Sequence, residues 1–328
     1  MCGPMRAVRC HELIGPLGLR VDELSEPEAG PGEVSIDVRA AGVNFPDVLL
    51  SSGKYQFKPT PPFVPGGEAA GVVVAIGAGV TRVAVGDRVA ATVIHGAFAE
   101  RIVVPEAAAI KVPDAIGFEV AAATLLTYAT TWHALVDRAD LQAGETLLVL
   151  GAAGGVGIAA VEIGKLLGAR VIAAASSDEK LAFCRAHGAD DTIQYVREDL
   201  KESAKRLTRG EGVNVVYDPV GGPFTEPALR SIAWAGRHLV VGFANGEIPK
   251  IPLNLVLLKG CQIVGVFWGA FVAREPEKQR ANADAIFAAV AAGQLRPHID
   301  ATLPFARAGE ALARMERREV MGKLVLVP

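Results

Sequence analysis

Gly151, Gly154, Gly155 and Gly157 crowd into seven positions, the spacing in this sequence that most plainly implies chemistry. They stand between an apolar β-prone run, Thr146 to Leu150, and apolar residues at helical spacing, Val156, Ala159, Ala160, Ile163, Leu166 and Leu167. A turn of this kind brings the backbone of Ala153, Gly154, Gly155, Val156 and Gly157 close to a pyrophosphate, with a helix N-terminus aimed at the anion. After Gly168 a second apolar run, Val171 to Ala175, completes a βαβ unit. The expected ligand is a dinucleotide, although Ala152 stands where the usual G-x-G-x-x-G pattern has its first glycine.

The end of the second strand bears on which dinucleotide. A site for NAD places Asp or Glu there to hold the ribose 2′-hydroxyl. Here the run ends Ala173, Ala174, Ala175, Ser176, Ser177. Ser176, Lys180 and Tyr195 offer hydroxyls and a cation to a 2′-phosphate, so NADPH is expected. Asp178 and Glu179 fit the first turn of the next helix, where carboxylates suit the dipole, and Lys180 also reads as a solvated helix residue.

With 328 residues, 51% of them hydrophobic, the chain can bury a large core. Its length suggests two domains of about 150 residues each. A net charge of −3 provides no basic field for nucleic acid or an anionic membrane. Cys2, Cys10, Cys184 and Cys261 match neither a disulfide framework nor a C-x-x-C metal site, which suits a reducing cytoplasm. No apolar run approaches the roughly 20 residues of a membrane span. A soluble, cytoplasmic protein is expected.

The elements that must position the site fall into two halves. Up to about residue 125, short runs at Met5 to Val8, Glu33 to Ala40, Ala70 to Ile76, Gly86 to Thr92 and Ala99 to Val104 are separated by Gly and Pro clusters, which predicts a largely antiparallel small barrel. An apolar helical stretch within Asp114 to Ala139 leads to the glycine turn. Beyond it, runs at Val213 to Tyr217 and His238 to Val241 alternate with helical segments and predict a parallel sheet whose ligands lie beyond the strands' carboxyl ends, near Gly242 and Phe243. Cys261 to Trp268 reads as a further strand, Asn282 to Ala292 as a helix and Leu324 to Val327 as a final strand.

The segments Ala41-Gly42-Val43-Asn44-Phe45-Pro46-Asp47, Pro65-Gly66-Gly67-Glu68, Val85-Gly86-Asp87-Arg88-Val89 and Gly96-Ala97-Phe98-Ala99-Glu100, taken with Gly151 to Gly157, resemble the medium-chain dehydrogenase/reductase superfamily. Within it the chain is similar to the zinc-independent quinone oxidoreductases that include zeta-crystallin. The resemblance implies an α/β fold: a GroES-like β-barrel catalytic domain (residues 1–126, returning at 267–328) and a Rossmann doubly wound parallel sheet (127–266). It also implies hydride transfer from NADPH to a quinone in a cleft between the domains. Zinc-dependent relatives carry a Cys in the first segment and a His before the Glu of the second; here Asn44 or a neighbour and Gly67 take those places, so no metal is expected.

By the same resemblance Asn44 and Tyr55 are the candidate catalytic residues, each able to donate a hydrogen bond to an oxygen gaining negative charge. Asn44, Thr130, Phe267, Trp268 and Arg318 are further candidate cofactor contacts, and Ser51 stands where the family often has an Arg. For Thr130, Phe267 and Trp268 ordinary packing or backbone bonding is an equal reading. The strand after Cys261 corresponds to a family edge that pairs across a two-fold axis, so a homodimer is expected. Two other functions use the same fold: NADPH-dependent reduction of the activated double bond of an enone, alkenal or enoyl thioester, and non-catalytic NADPH binding.

Overall fold

The computed structural model describes residues 3–328; Cys2 lies outside them. The chain divides into two units: residues up to 126 with 283–293 and 297–328, and residues 127–282 with 294–296.

In the first unit β1 (Pro4–Cys10) and β2 (Leu19–Ser25) form an antiparallel pair. A larger sheet contains β3 (Glu33–Val43), β4 (Glu68–Ile76), β5 (Arg88–Thr92), β6 (Arg101–Pro105) and β7 (Ala109–Lys111), with helix α1 (Phe45–Ser51) between β3 and β4. The long β3 has partners on both edges, β4 and β6. β4 and β5 pair as an antiparallel hairpin. Their inward Val and Ile side chains, including Val34, Ile36, Val73, Val89 and Val104, are buried in one core.

Helix α2 (Phe118–Trp132) runs through the boundary after Leu126 and continues as a π-helical segment, His133–Arg138. The second unit then alternates β8 (Thr146–Leu150), α3 (Gly155–Leu166), β9 (Arg170–Ala175), α4 (Asp178–Ala186), β10 (Asp191–Gln194), α5 (Leu200–Leu207), β11 (Val213–Asp218), α6 (Thr225–Arg230), β12 (Ile232–Val240), α7 (Asn254–Lys259) and β13 (Gln262–Gly265). All six strands are parallel, in the order β10-β9-β8-β11-β12-β13. The order reverses between β8 and β11, the place where sheets of this type bind ligands.

The run from Cys261 to Trp268 differs from its expectation. Only residues 262–265 are strand, because Trp268 opens a helix, α8 (Trp268–Arg274). Helix α9 (Pro276–Ala291) starts six residues before the expected Asn282, with Pro276 at its first turn. The return to the first unit falls at 283, not at 267. The reason is local: Trp268 Nε1 donates to Gln279 Oε1 at 2.9 Å and Asn282 Nδ2 to Asp137 Oδ2 at 2.9 Å, which hold α8 and the start of α9 in the second unit.

In the first unit β14 (Ile299–Pro304), helix α10 (Ala308–Glu316) and β15 (Lys323–Val327) complete the larger sheet, with β15 antiparallel to β3. Among the described residues no helix is long and apolar enough to cross a membrane.

Candidate functional site

The glycine turn after β8 is built by the backbone. Gly151 has φ +58°, and a Cβ there would come within 2.8 Å of Val220. A Cβ on Gly157 would lie 2.3 Å from Gly151 O and under 3 Å from the Ala152 backbone, so the helix meets the turn at the limit of approach. Gly154 is the N-cap of α3, and a Cβ on it would meet nothing closer than 3.5 Å. The glycines therefore divide the work expected of them: Gly151 makes the sharp turn, Gly157 the close packing, and Gly154 leaves the approach to the N-terminus of α3 clear. Ala152, in the place of the fingerprint's first glycine, is buried within the turn, and the positive φ falls on Gly151.

At the end of β9 the chain passes Ser176 and enters α4 through its N-cap, Ser177, whose hydroxyl accepts the Lys180 N–H at 3.3 Å. Asp178 and Glu179 are in the first turn of α4, and Asp178 pairs with Arg197 at 2.9 Å on an exposed face. Lys180 is half-buried. Tyr195, just past β10, packs on Phe224 with ring centroids 4.6 Å apart.

The loop after β11 forms a second wall to the turn. Asp218 Oδ1 accepts the N–H groups of Val220 and Gly221 at 2.9 and 2.8 Å, and Oδ2 accepts Thr225 Oγ1 at 2.7 Å and meets His238 Nε2 at 3.2 Å. Burial pushes this carboxyl up, but the bonds from His238, Gly221 and Thr225 hold it below the usual carboxylate range. Gly242 N donates to Asp218 O at 3.3 Å, so the same residue anchors the start of the Gly242–Phe243 segment. Asp218 does this work unsignalled by the sequence, where it is one residue of a strand end.

Other candidates take different places. Thr130 is half-buried, whereas its neighbour Thr131 is fully buried and bonds Thr127 O, Val156 O and the Tyr217 hydroxyl, tying α2 to the first turn of α3. Trp268 is buried on Gln279, while Phe267 is 64% exposed. Arg318 has φ +59° and donates its N–H to Met315 O, closing the end of α10 as a left-handed terminator.

In the first unit the register of three strands assembles a polar cluster. β15 pairs Leu324 with Val43, and β3 pairs Gly42 with Glu68, so Lys323, Asn44 and Glu68 meet at one end of the sheet. Lys323 Nζ donates to Val43 O at 3.0 Å, Asn44 Oδ1 at 2.5 Å and Glu68 Oε1 at 2.6 Å. Glu68 Oε2 accepts the Leu126 N–H at 2.8 Å. Asn44 is the N-cap of α1, and its Nδ2 donates to Gly42 O at 3.2 Å and Glu68 Oε1 at 2.9 Å. Both amide hydrogens of Asn44 are thus held inside the protein, not offered outward as the donor reading requires.

Asp47, three residues on, closes the cap: its Oδ2 accepts the Asn44 N–H at 2.7 Å. Burial, aided by the charge of Glu68 and opposed by the Asn44 N–H and Lys323, pushes its carboxyl up to about 7. Tyr55 is half-buried against Leu50, Phe63 and Cys10; burial and then the charge of Asp47 raise its phenol. His95 stacks on Phe57 at 5.9 Å and meets Phe63 edge-on at 5.8 Å. Among the described residues no group of His, Cys, Asp and Glu is arranged to hold a metal ion.

Both units match known families. The family described as "Alcohol dehydrogenase GroES-like domain" matches residues 30–114, and that described as "Zinc-binding dehydrogenase" matches 155–287. The chain is 41% identical over 324 residues to the quinone oxidoreductase-like protein 2 homolog of Nematostella vectensis, covering 98% of this chain and 88% of the relative. It is 38% identical over 315 residues to the quinone oxidoreductase of Pseudomonas aeruginosa, covering 96% and 97%. A mycobacterial protein solved in complex with NADPH superposes with a TM-score of 0.92 at 33% identity, over 99% of this chain and 100% of that one. Matched along nearly its whole length, with a GroES-like unit followed by a Rossmann unit, the chain belongs to the medium-chain dehydrogenase/reductase superfamily, among its quinone oxidoreductase-like members.

Proposed function

We propose that the protein is an NADPH-dependent quinone reductase that works without a metal ion. The observation that carries the reading is the end of β9, which the Ala152 N–H joins to the glycine turn through Ala174 O: no carboxylate stands there, Ser177 caps α4, and Ser176 and Lys180 follow directly in the chain. This donor set fits a 2′-phosphate. The relatives named for quinone reduction and the neighbour bound to NADPH support it. NADPH supplies the hydride when bound. This chain's residues hold its pyrophosphate at the N-terminus of α3, shape the turn through Gly151 and Gly157, and order the facing loop through Asp218. The Asn44–Glu68–Lys323 cluster favours metal-free chemistry. It has no thiolate or imidazole, and a fixed ammonium bonded to both other members repels a cation.

Parallel titrations of NADPH and NADH, followed by turnover with 1,4-benzoquinone and with a simple enone, test the reading. Tighter binding of NADPH with quinone turnover is expected. Equal affinity for NADH would sink the β9 argument, and turnover of the enone alone would replace the substrate class.

The protein is further proposed to be a soluble, cytoplasmic homodimer joined through β13. This strand is the edge of its sheet, and Leu257, Ile263 and Phe267 beside it are 79%, 41% and 64% exposed. Such an edge favours pairing with a second copy. Light scattering should give a dimer mass at micromolar concentration; a monomer overturns this.

A further inference from the structure

His238 is an imidazole buried in an apolar place. The register of β11 and β12 sets Val216 beside His238 and Asp218 beside Val240, so His238 and Asp218 share the face that packs Val216 into a core with Leu148, Ala228 and Leu229. His238 is 1% exposed, and its Nδ1 has no hydrogen-bond partner among the described residues. An apolar side chain there would bury no orphaned atom. What the imidazole adds is one contact, from Nε2 to Asp218 Oδ2 at 3.2 Å. Asp218 is buried and, among the described residues, pairs with no Lys or Arg. An ionised carboxylate only accepts, so the ring nitrogen facing it, Nε2, is the one that carries hydrogen.

The residue that His238 faces is the root of two loops. Asp218 Oδ1 gathers the Val220 and Gly221 N–H groups, while Asp218 O accepts those of Val241 and Gly242 at 2.9 and 3.3 Å. Beyond that root the loops are joined backbone to backbone: Ala244 N–H to Pro219 O at 3.0 Å, Asn245 N–H to Val220 O at 2.8 Å, and Gly222 N–H to Glu247 O at 3.0 Å. Gly221 and Gly222 have φ +69° and +59°; a Cβ on the first would lie 2.8 Å from Phe243 Cδ1 and on the second 2.5 Å from Asn245 Oδ1. Residues 219–222 and 241–247 therefore make one wall, which abuts the glycine turn where Val220 meets Gly151.

We propose that His238 is a positioning residue for the nicotinamide half of the cofactor, acting through Asp218 on the wall formed by residues 219–222 and 241–247. It touches no reacting atom. Its Nε2–H and the Thr225 hydroxyl together fix Oδ2 of the carboxylate, which turns Oδ1 toward the two backbone N–H groups of the first loop. In the sheet, β9 lies on one side of β8, and β11 and β12 lie on the other. A dinucleotide lies across such a switch point, so with its 2′-phosphate half at the end of β9 its nicotinamide half falls on the side where the wall stands. The cofactor's identity rests on the reductase reading above; the coupling of His238 to the two loops does not.

Hydrogen exchange of the protein without cofactor, read by mass spectrometry, tests the coupling. His238→Leu should speed exchange of segments 220–222 and 241–247 about 10-fold or more, with α3 unchanged. His238→Gln, whose amide N–H can reach the place of Nε2, should keep those segments slow. Thr225→Val removes the other donor to Oδ2 and should act in the same direction as His238→Leu, so it serves if the leucine variant does not fold. Unchanged exchange in the two segments, or a rise spread over the whole second unit, overturns the positioning role. Titrations then test the half of the cofactor concerned. His238→Leu should weaken NADPH binding about 10-fold and leave adenosine 2′,5′-bisphosphate, which lacks the nicotinamide, bound as by the wild type. Equal weakening of both ligands, or of neither, overturns the proposal. A wild type that binds NADH as tightly as NADPH sinks the β9 reading alone, and the same comparison is then made with NADH and AMP. A wild type that binds neither dinucleotide removes the cofactor role together with the reductase reading, and the exchange data decide the coupling.

Discussion

The turn after β8 and the cluster at the end of β3 are both sites, but they are made of different material. The turn is backbone: Gly151, Gly154 and Gly157 matter because they lack a Cβ, and its pull on an anion comes from unpaired N–H groups. The cluster is side chain: Asn44, Asp47, Glu68 and Lys323 bury two carboxyls, an amide and an ammonium in a few bonds. A backbone site fails by clash, whereas a buried polar site fails by leaving a charge without its partner.

The largest effect should follow from violating the backbone site. In Gly157→Val the new Cβ would sit 2.3 Å from Gly151 O, and neither the helix nor the turn is free to move away. NADPH binding should weaken by at least about 100-fold, roughly 2.7 kcal/mol or more. The second unit should also lose stability, read by thermal melting. A variant that binds NADPH as the wild type does would show that the turn is not the cofactor's seat.

The cluster should break more gently and through charge. Lys323→Met leaves Glu68 buried beside Asn44 with no cation, a change that costs about 3–5 kcal/mol in comparable buried pairs. Adding Glu68→Gln to it should restore much of the loss, because the amide carries no charge to strand. Denaturant unfolding of the two single variants and the double variant measures the coupling. If the double variant is as unstable as the sum of the singles, Lys323 and Glu68 act separately and the contrast with the turn disappears.

This difference in material also explains what could be read from the sequence. The turn is local: strand, glycines, helix and returning strand fall within one short stretch, so spacing alone was enough to place β8, α3 and β9. The parallel sheet and the βαβ order followed from the same alternation. The cluster is not local. Lys323 lies 279 residues from Asn44 and 255 from Glu68, and only the register of β15, β3 and β4 brings them together. Asp47 and Glu68 stood inside the segments that carried the family resemblance, yet nothing in those segments says that Lys323 faces them. The resemblance marked Asn44 as a donor to substrate, but the structure spends both its amide hydrogens on Gly42 and Glu68. Likewise Thr130 and Thr131 differ by one position on a helix, and only packing shows that Thr131 bonds Tyr217.

A smaller effect separates the two carboxyls within the cluster. Glu68 is ion-paired with Lys323 whereas Asp47 feels that ammonium only at a distance, and burial pushes the Asp47 carboxyl up to about 7 from its ordinary 3.8. Between those values the folded protein holds a proton on Asp47 that the unfolded chain has released. Stability from this group is therefore full below about 3.8, falls as pH rises, and is gone above about 7. The total change is on the order of 2–4 kcal/mol. Asp47→Asn cannot ionise and should flatten this component, so the stability of the wild type relative to the variant should decline from pH 4 to pH 7.5 in urea unfolding. A difference that stays level across that range would mean that Asp47 is ionised in the folded protein and shares the Lys323 ammonium with Glu68. The cluster would then be a three-way ion network and not an ion pair beside a neutral acid.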